Sequence, residues 1–144
     1  YKRQAFGFSF GGFFSLYAAG IESRISAVAT IGAPFHLHKV LAGLVVLFKK
    51  RAFSWSGCKD EQEVKKLVES LNIPEVFGML KCPVYLVHGN HDEVVPITEL
   101  KSIQNVIGKN AKSLKIKGGD HTCSQHLTTH VLPDVFDWFE KQFS

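Results

Sequence analysis

Residues 7–12 read Gly7-Phe8-Ser9-Phe10-Gly11-Gly12 and follow a short apolar run, Ala5-Phe6. The pattern is G-x-S-x-G, set where a strand turns sharply into a helix. A backbone that doubles back on itself needs residues with little side chain, and glycine also accepts the positive φ of such turns. The turn lifts the Ser9 hydroxyl clear of the sheet edge, and the next helix points its N-terminal dipole at it. A serine between glycines is by itself an ordinary turn. Its weight comes from two residues later in the chain.

A serine hydroxyl is a weak nucleophile at neutral pH and needs a neighbouring base. Pro83-Val84-Tyr85-Leu86-Val87-His88-Gly89 is a β-prone run that ends in a turn signal. Asn90-His91-Asp92-Glu93-Val94-Val95-Pro96 comes next, so Asp92 falls just past the carboxyl end of a strand, where sites in open parallel sheets form. A helical stretch, about residues 97–107, leads to a second short strand, Ser113-Leu114-Lys115-Ile116. That strand runs into Gly118-Gly119-Asp120-His121-Thr122, which puts His121 on the next loop at the same edge. This order sets the roles: Ser9 attacks, His121 takes and returns the proton, and Asp92 orients and stabilises the imidazolium. The Phe10 backbone N–H is placed to bind an oxyanion. Glu93 is the alternative acid, and Asp120 shapes the loop.

With these residues in place the chain resembles the C-terminal part of an α/β-hydrolase. Within that superfamily it is similar to the esterases and hydrolases grouped with the fermentation-respiration switch protein and dihydropseudooxynicotine hydrolase. The matching stretches are Gly7–Gly12, Ile31-Gly32-Ala33-Pro34, Val87–Pro96 and Gly119–Cys123. The resemblance implies an α/β fold, a mostly parallel sheet flanked by helices, and a serine triad carried by Ser9, Asp92 and His121. It implies ester-type hydrolysis through an acyl-enzyme, with no cofactor and no metal. Some relatives cleave carbon–carbon bonds with an extra acid in the cap. Here Pro34 is followed by Phe35-His36-Leu37-His38-Lys39, which offers no acid.

The chain has 144 residues, enough for one core. A full sheet of this kind needs more strands than the sequence supplies, and the serine turn belongs in the middle of such a fold rather than at its start. We expect residues 1–144 to be the C-terminal portion of a single domain. The remainder would carry the early strands and a second oxyanion donor. Such a portion would associate with its missing part or form homo-oligomers.

The net charge is +4, and the basic spots Lys49-Lys50-Arg51 and Lys112/Lys115/Lys117 read as solvated faces, not as a nucleic-acid surface. The three cysteines, Cys58, Cys82 and Cys123, show no paired spacing, which suits a reducing, cytoplasmic setting. The expected partner is a small molecule with an apolar portion.

Along the chain, residues 10–19 should form a helix with Phe13, Leu16 and Tyr17 facing the core, Gly11 and Gly12 packed against the sheet, and Gly20 as its end. Residues 25–31 read as a buried strand. Residues 35–80 read as a helical cap or insert. It contains an apolar run, Val40–Phe48, too short to span a bilayer but suited to a lid helix or to a buried helix. It also contains an amphipathic helix, residues 60–71, with Val64, Leu67, Val68 and Leu71 on one face. A short helix, residues 75–80, completes it. Phe8, His36 and His38 are candidates for touching substrate. The last helix, about residues 133–143, packs with Val135, Phe136, Phe139 and Phe143.

Two other readings compete. Gly89-Asn90-His91-Asp92 matches the G-N-H-D/E block of metallophosphoesterases, and His88, His121, His126 and His130 could add ligands. Two-metal chemistry needs several converging ligands, including an upstream Asp-x-His that the sequence does not contain. Hydrolase folds also serve as non-catalytic binding modules, although such a module has no physical need for all three triad residues.

Overall fold

The computed structural model describes residues 2–43, 50 and 53–144. Among the described residues four parallel strands form one sheet in chain order: β1 (Arg3–Phe8), β2 (Ile25–Ile31), β3 (Val84–Gly89) and β4 (Ala111–Ile116). Parallel strands need crossovers, and helices supply them here. α1 (Ser9–Ile21) joins β1 to β2, and α5 (Ile97–Ile107) joins β3 to β4. The long β2–β3 connection carries α2 (Leu37–Gly43), a helical turn over residues 53–56, α3 (Glu61–Ser70) and α4 (Ile73–Gly78). α6 (Leu132–Lys141) closes the chain.

Every residue of β3 is buried, as an interior strand covered on both faces should be. The strand period of two sends Val28, Val84 and Leu86 to one face, where they meet Phe13 and Leu16 of α1 and Leu100 and Ile103 of α5. Ala27, Ala29, Tyr85 and Val87 point to the other face and meet Val135, Trp138 and Phe139 of α6. The sheet is therefore a middle layer between two layers of helix, the arrangement of an α/β fold. Tyr85 stacks on Trp138 and donates its hydroxyl to Asp134.

Several local readings change. α1 runs past Gly20 to Ile21. Gly20 serves a different need: a Cβ there would lie 2.3 Å from the Val76 carbonyl oxygen, so α4 can cross α1 only at a glycine. Gly12 does pack tightly, with a Cβ position 3.0 Å from Ala33 Cβ, whereas Gly11 faces open space. On α3, Val64 and Val68 are buried but Leu67 is 41% exposed. Its start is fixed by Asp60, whose carboxylate accepts from Glu63 N at 2.9 Å, while Glu63 Oε2 accepts from Lys59 N at 2.8 Å. α4 begins two residues before the predicted short helix, with Pro74 in its first turn. Its Phe77 packs on Phe13, so this part of the insert lies on α1 and belongs to the core. β4 starts two residues earlier than its sequence pattern suggests. On α6, Phe136 is 54% exposed and Trp138 takes the core position.

The lid reading of Val40–Phe48 falls mostly on residues 44–48, outside the described residues, as do Lys49 and Arg51 of the basic run. Among the described residues no helix is long and apolar enough to cross a membrane.

Candidate active site

Phe8 of β1 pairs with Ile31 of β2, and Ile31 pairs with Val87 of β3. Ser9 and Gly32 are the next residues at the carboxyl end of the sheet, on strands about 4.8 Å apart. Ser9 has φ 51°, a left-handed conformation that a residue with a Cβ rarely takes. Such a backbone costs about 1–3 kcal/mol and persists only where its surroundings impose it. They do so here because a Cβ on Gly7 would lie 2.3 Å from the Gly11 backbone carbon and oxygen, so the turn closes on itself. No side chain caps the first turn of α1, where Phe10 lies, and its N–H groups remain open to an anion.

The loops after β3 and β4 are stitched together by two backbone hydrogen bonds and one to the Asn90 side chain. Asn90 N donates to Ile116 O at 3.1 Å, His91 N to Gly119 O at 2.9 Å, and Gly118 N to Asn90 Oδ1 at 2.7 Å. This stitching brings Asp92 and His121 together. The imidazole Nδ1 of His121 lies 2.7 Å from Asp92 Oδ2. An ionised carboxylate only accepts, so Nδ1 carries a proton, and in the neutral ring this leaves the Nε2 lone pair free. The other carboxylate oxygen, Oδ1, accepts from Val94 N at 2.9 Å and Val95 N at 2.7 Å.

Burial pushes the Asp92 carboxyl up, but the bonds from His121, His88 and the Val95 amide outweigh it. The group is held well below the ordinary carboxylate range. Glu93, the alternative acid, is exposed, and it is Asp92 that meets the histidine.

His121 sits beside Gly32: a Cβ there would lie 3.1 Å from its Nδ1. Gly32 is level with Ser9, so the imidazole stands at the serine's end of the sheet. Among the described residues Ser9 Oγ makes no hydrogen bond. In ligand-free sites the nucleophile–base bond is commonly long and tightens when substrate binds.

Two buried groups have contacts that the sequence reading did not assign; His88 appeared there only as a possible metal ligand. His88 is 1% exposed; its Nε2 lies 2.8 Å from Val95 O and 3.3 Å from Asp92 Oδ2. Its four-residue spacing from Asp92 was the available signal. Glu99, in the first turn of α5, accepts from Phe35 N at 2.8 Å and His36 N at 2.6 Å, and its Oε1 meets His36 Nδ1 at 2.8 Å. Burial raises its carboxyl and these bonds lower it further, for a net fall. No local signal announces a contact across 63 positions.

Among the proposed substrate contacts, Phe8 packs edge-on to Phe6, 5.1 Å between centroids. His36 is tied to Glu99. His38 lines a cleft of about 260 Å³ with Leu41, Ala42, Phe53 and residues of α3.

Cys123 is wholly buried, and burial followed by the nearby Asp120 and Asp92 charges pushes its thiol up to about 11. It is a small packing residue. Among the described residues no group of three His, Cys, Asp or Glu side chains is arranged to hold a metal. His126 and His130 face each other edge-on at 6.0 Å.

The family model of the prolyl oligopeptidase family matches residues 2–144. The chain belongs to that family. Among its relatives is the 2,6-dihydropseudooxynicotine hydrolase of Paenarthrobacter nicotinovorans, 27% identical over 135 residues. That match covers 92% of this chain but 36% of the relative, so the chain spans about a third of the relative's length. The crystal structure of 2,6-dihydroxy-pseudo-oxynicotine hydrolase superposes with a TM-score of 0.75 at 27% identity, covering 92% of this chain and 38% of that one. Est1E from Butyrivibrio proteoclasticus gives a TM-score of 0.74 at 20% identity, with coverages of 96% and 60%. AbyA5 gives 0.80 at 18%, with coverages of 98% and 43%. The last two show the fold: this member of the prolyl oligopeptidase family has the α/β-hydrolase fold.

Proposed function

We propose that the protein is a serine hydrolase acting on an ester-like substrate. The observation that carries this reading is the Asp92–His121 hydrogen bond, placed at the same end of the sheet as a serine in a strained turn. His121 Nε2 takes the Ser9 proton as Oγ attacks the carbonyl carbon. The carbonyl oxygen becomes an oxyanion facing the Phe10 N–H, and His121 then protonates the departing alkoxide. Water repeats the sequence on the acyl-enzyme and frees Ser9. Asp92, held charged throughout, stabilises the imidazolium at each stage.

Residues 35–80 are read as a helical cap or insert whose last helix, α4, packs into the core. Phe8, His36 and His38 are assigned to an apolar portion of a small-molecule substrate. Support for hydrolysis comes from the family membership and from a relative named as a hydrolase. Glu99 does put an acid at Phe35–His36, the loop where a carbon–carbon hydrolase would carry one. Its oxygens are committed to two amides and an imidazole, which favours ester cleavage.

The test is labelling of the intact protein with a fluorophosphonate probe and location of the adduct by mass spectrometry. Labelling at Ser9 that disappears in His121→Ala supports the reading. A folded protein that takes no label overturns it and returns the fold to the class of binding modules.

A further inference from the structure

We infer that His88 is a positioning residue for the acid of this site: its Nε2–H holds Asp92 Oδ2 toward His121 and pins the Val94–Val95 turn that grips Oδ1. The inference rests on the serine-hydrolase reading.

The tautomer is set by the partners. Val95 O lies 2.8 Å from His88 Nε2, and a carbonyl oxygen can only accept, so that nitrogen must carry the proton. The same nitrogen lies 3.3 Å from Asp92 Oδ2, so the positive edge of the ring faces the carboxylate oxygen that meets His121. The Asp92 carboxylate thus faces four nitrogens: it accepts from Val94 and Val95 on Oδ1 and from His121 on Oδ2, with His88 Nε2 at 3.3 Å beside Oδ2. Three of these come from the backbone or side chains of residues 88–95, and one from the loop after β4.

Rotation about the Asp92 side chain would move Oδ2 away from His121, and the His88 N–H, anchored in β3, opposes that rotation. His88 also ties the carbonyl of Val95 to β3, so the two amides on Oδ1 stay in register with the strand. The imidazole is fully buried and is carried by the penultimate residue of a strand with no exposed position. It has no route to substrate and acts only through Asp92.

The donor's position, and not mere polarity, is the claim, and two amide substitutions separate the two. The amide nitrogen of Gln can occupy the place of Nε2, whereas that of Asn reaches only to the place of Nδ1. His88→Gln, His88→Asn and His88→Leu are compared in the intact protein. The readouts are kcat and KM on a simple aryl ester, and the low-field proton resonance of His121 Nδ1–H.

His88→Gln should keep kcat within a few-fold of the parent and retain the resonance. His88→Asn and His88→Leu should lose about 10- to 100-fold in kcat with KM little changed, and lose or shift the resonance. Equal behaviour of the Gln and Asn variants would overturn the inference, as would a parent-like resonance in His88→Leu. If Leu fails to fold, the Gln–Asn pair still decides. The resonance needs no turnover, so a protein that takes no fluorophosphonate breaks the serine reading while the resonance judges His88 separately.

Discussion

Two carboxylates at one end of the sheet hold imidazoles in nearly the same way, and they do different work. Asp92 gives one oxygen to the amides of Val94 and Val95 and the other to His121 Nδ1 at 2.7 Å. Glu99 gives one oxygen to the amides of Phe35 and His36 and the other to His36 Nδ1 at 2.8 Å. Both acids are buried and both are held below their ordinary range. The difference lies in where the donors come from. The amides on Asp92 belong to its own loop, so the carboxylate is fixed first and then aims a histidine from another loop. Both the amides and the imidazole on Glu99 belong to the loop after β2, so the carboxylate fastens that loop to α5. In the proposed mechanism the first arrangement holds a base for Ser9, and the second anchors a turn. A held imidazole alone is therefore not a catalytic base; what its free nitrogen faces decides.

The largest effects should separate the two histidines. His121→Ala is expected to cost about 10⁴-fold or more in kcat/KM, because both proton transfers lose their carrier. His36→Ala should change kcat/KM less than about tenfold, mostly through KM, as loss of a substrate-side contact would. Comparable losses in steady-state assays would mean that His36 shares the chemistry. The acids come next in size. Asp92→Asn should lower kcat by about 10³- to 10⁴-fold by presenting the wrong histidine tautomer, with the melting temperature changed far less than the rate. A rate that survives Asp92→Asn but falls in Glu93→Gln would move the acid one position. Glu99→Gln should do the reverse: the rate per folded molecule holds, while stability falls by about 1–3 kcal/mol by denaturant titration, because two amides and an imidazole lose a charged acceptor.

Sequence made one of these pairs legible and hid the other for a physical reason. The Asp92–His121 pair is announced because each residue directly follows a recognisable strand, and parallel strands bring their carboxyl ends to one edge whatever lies between. Ser9 is announced by the glycine that lets its turn close. The Glu99–His36 contact joins a helix's first turn to a loop 63 positions away, and nothing in either segment specifies the other. His88 lies within a recognisable motif, yet strand alternation alone does not say that its ring would turn back under the acid loop. The layers and strands were readable from apolar runs and turn residues. Misplaced details such as Gly20, Leu67 and Phe136 depend on which neighbour covers which helix face, and only tertiary packing sets that.

The smallest effect, and the one that compares the two acids on equal terms, is the dependence of stability on pH. A carboxyl held lower in the folded protein than in the unfolded chain contributes stability that is fully present above its unfolded value, about 4. The contribution fades as pH falls and the folded carboxyl takes up its proton. Glu99 and Asp92 both have that sign. The stability gap between parent and Glu99→Gln should therefore be widest near neutral pH and narrow steadily below about pH 4. At that point a protonated Glu99 and a glutamine are chemically alike toward the Phe35 and His36 amides. Asp92→Asn should show the same closing gap, starting from at least as wide a difference at neutral pH, because the Asp92 carboxyl is held further below its ordinary range. Denaturant midpoints measured from pH 3 to 7 would show it. A gap that widens toward acid would mean that the carboxyl is destabilising where it sits, and the reading of Glu99 as the fastening of the β2 loop to α5 would fall.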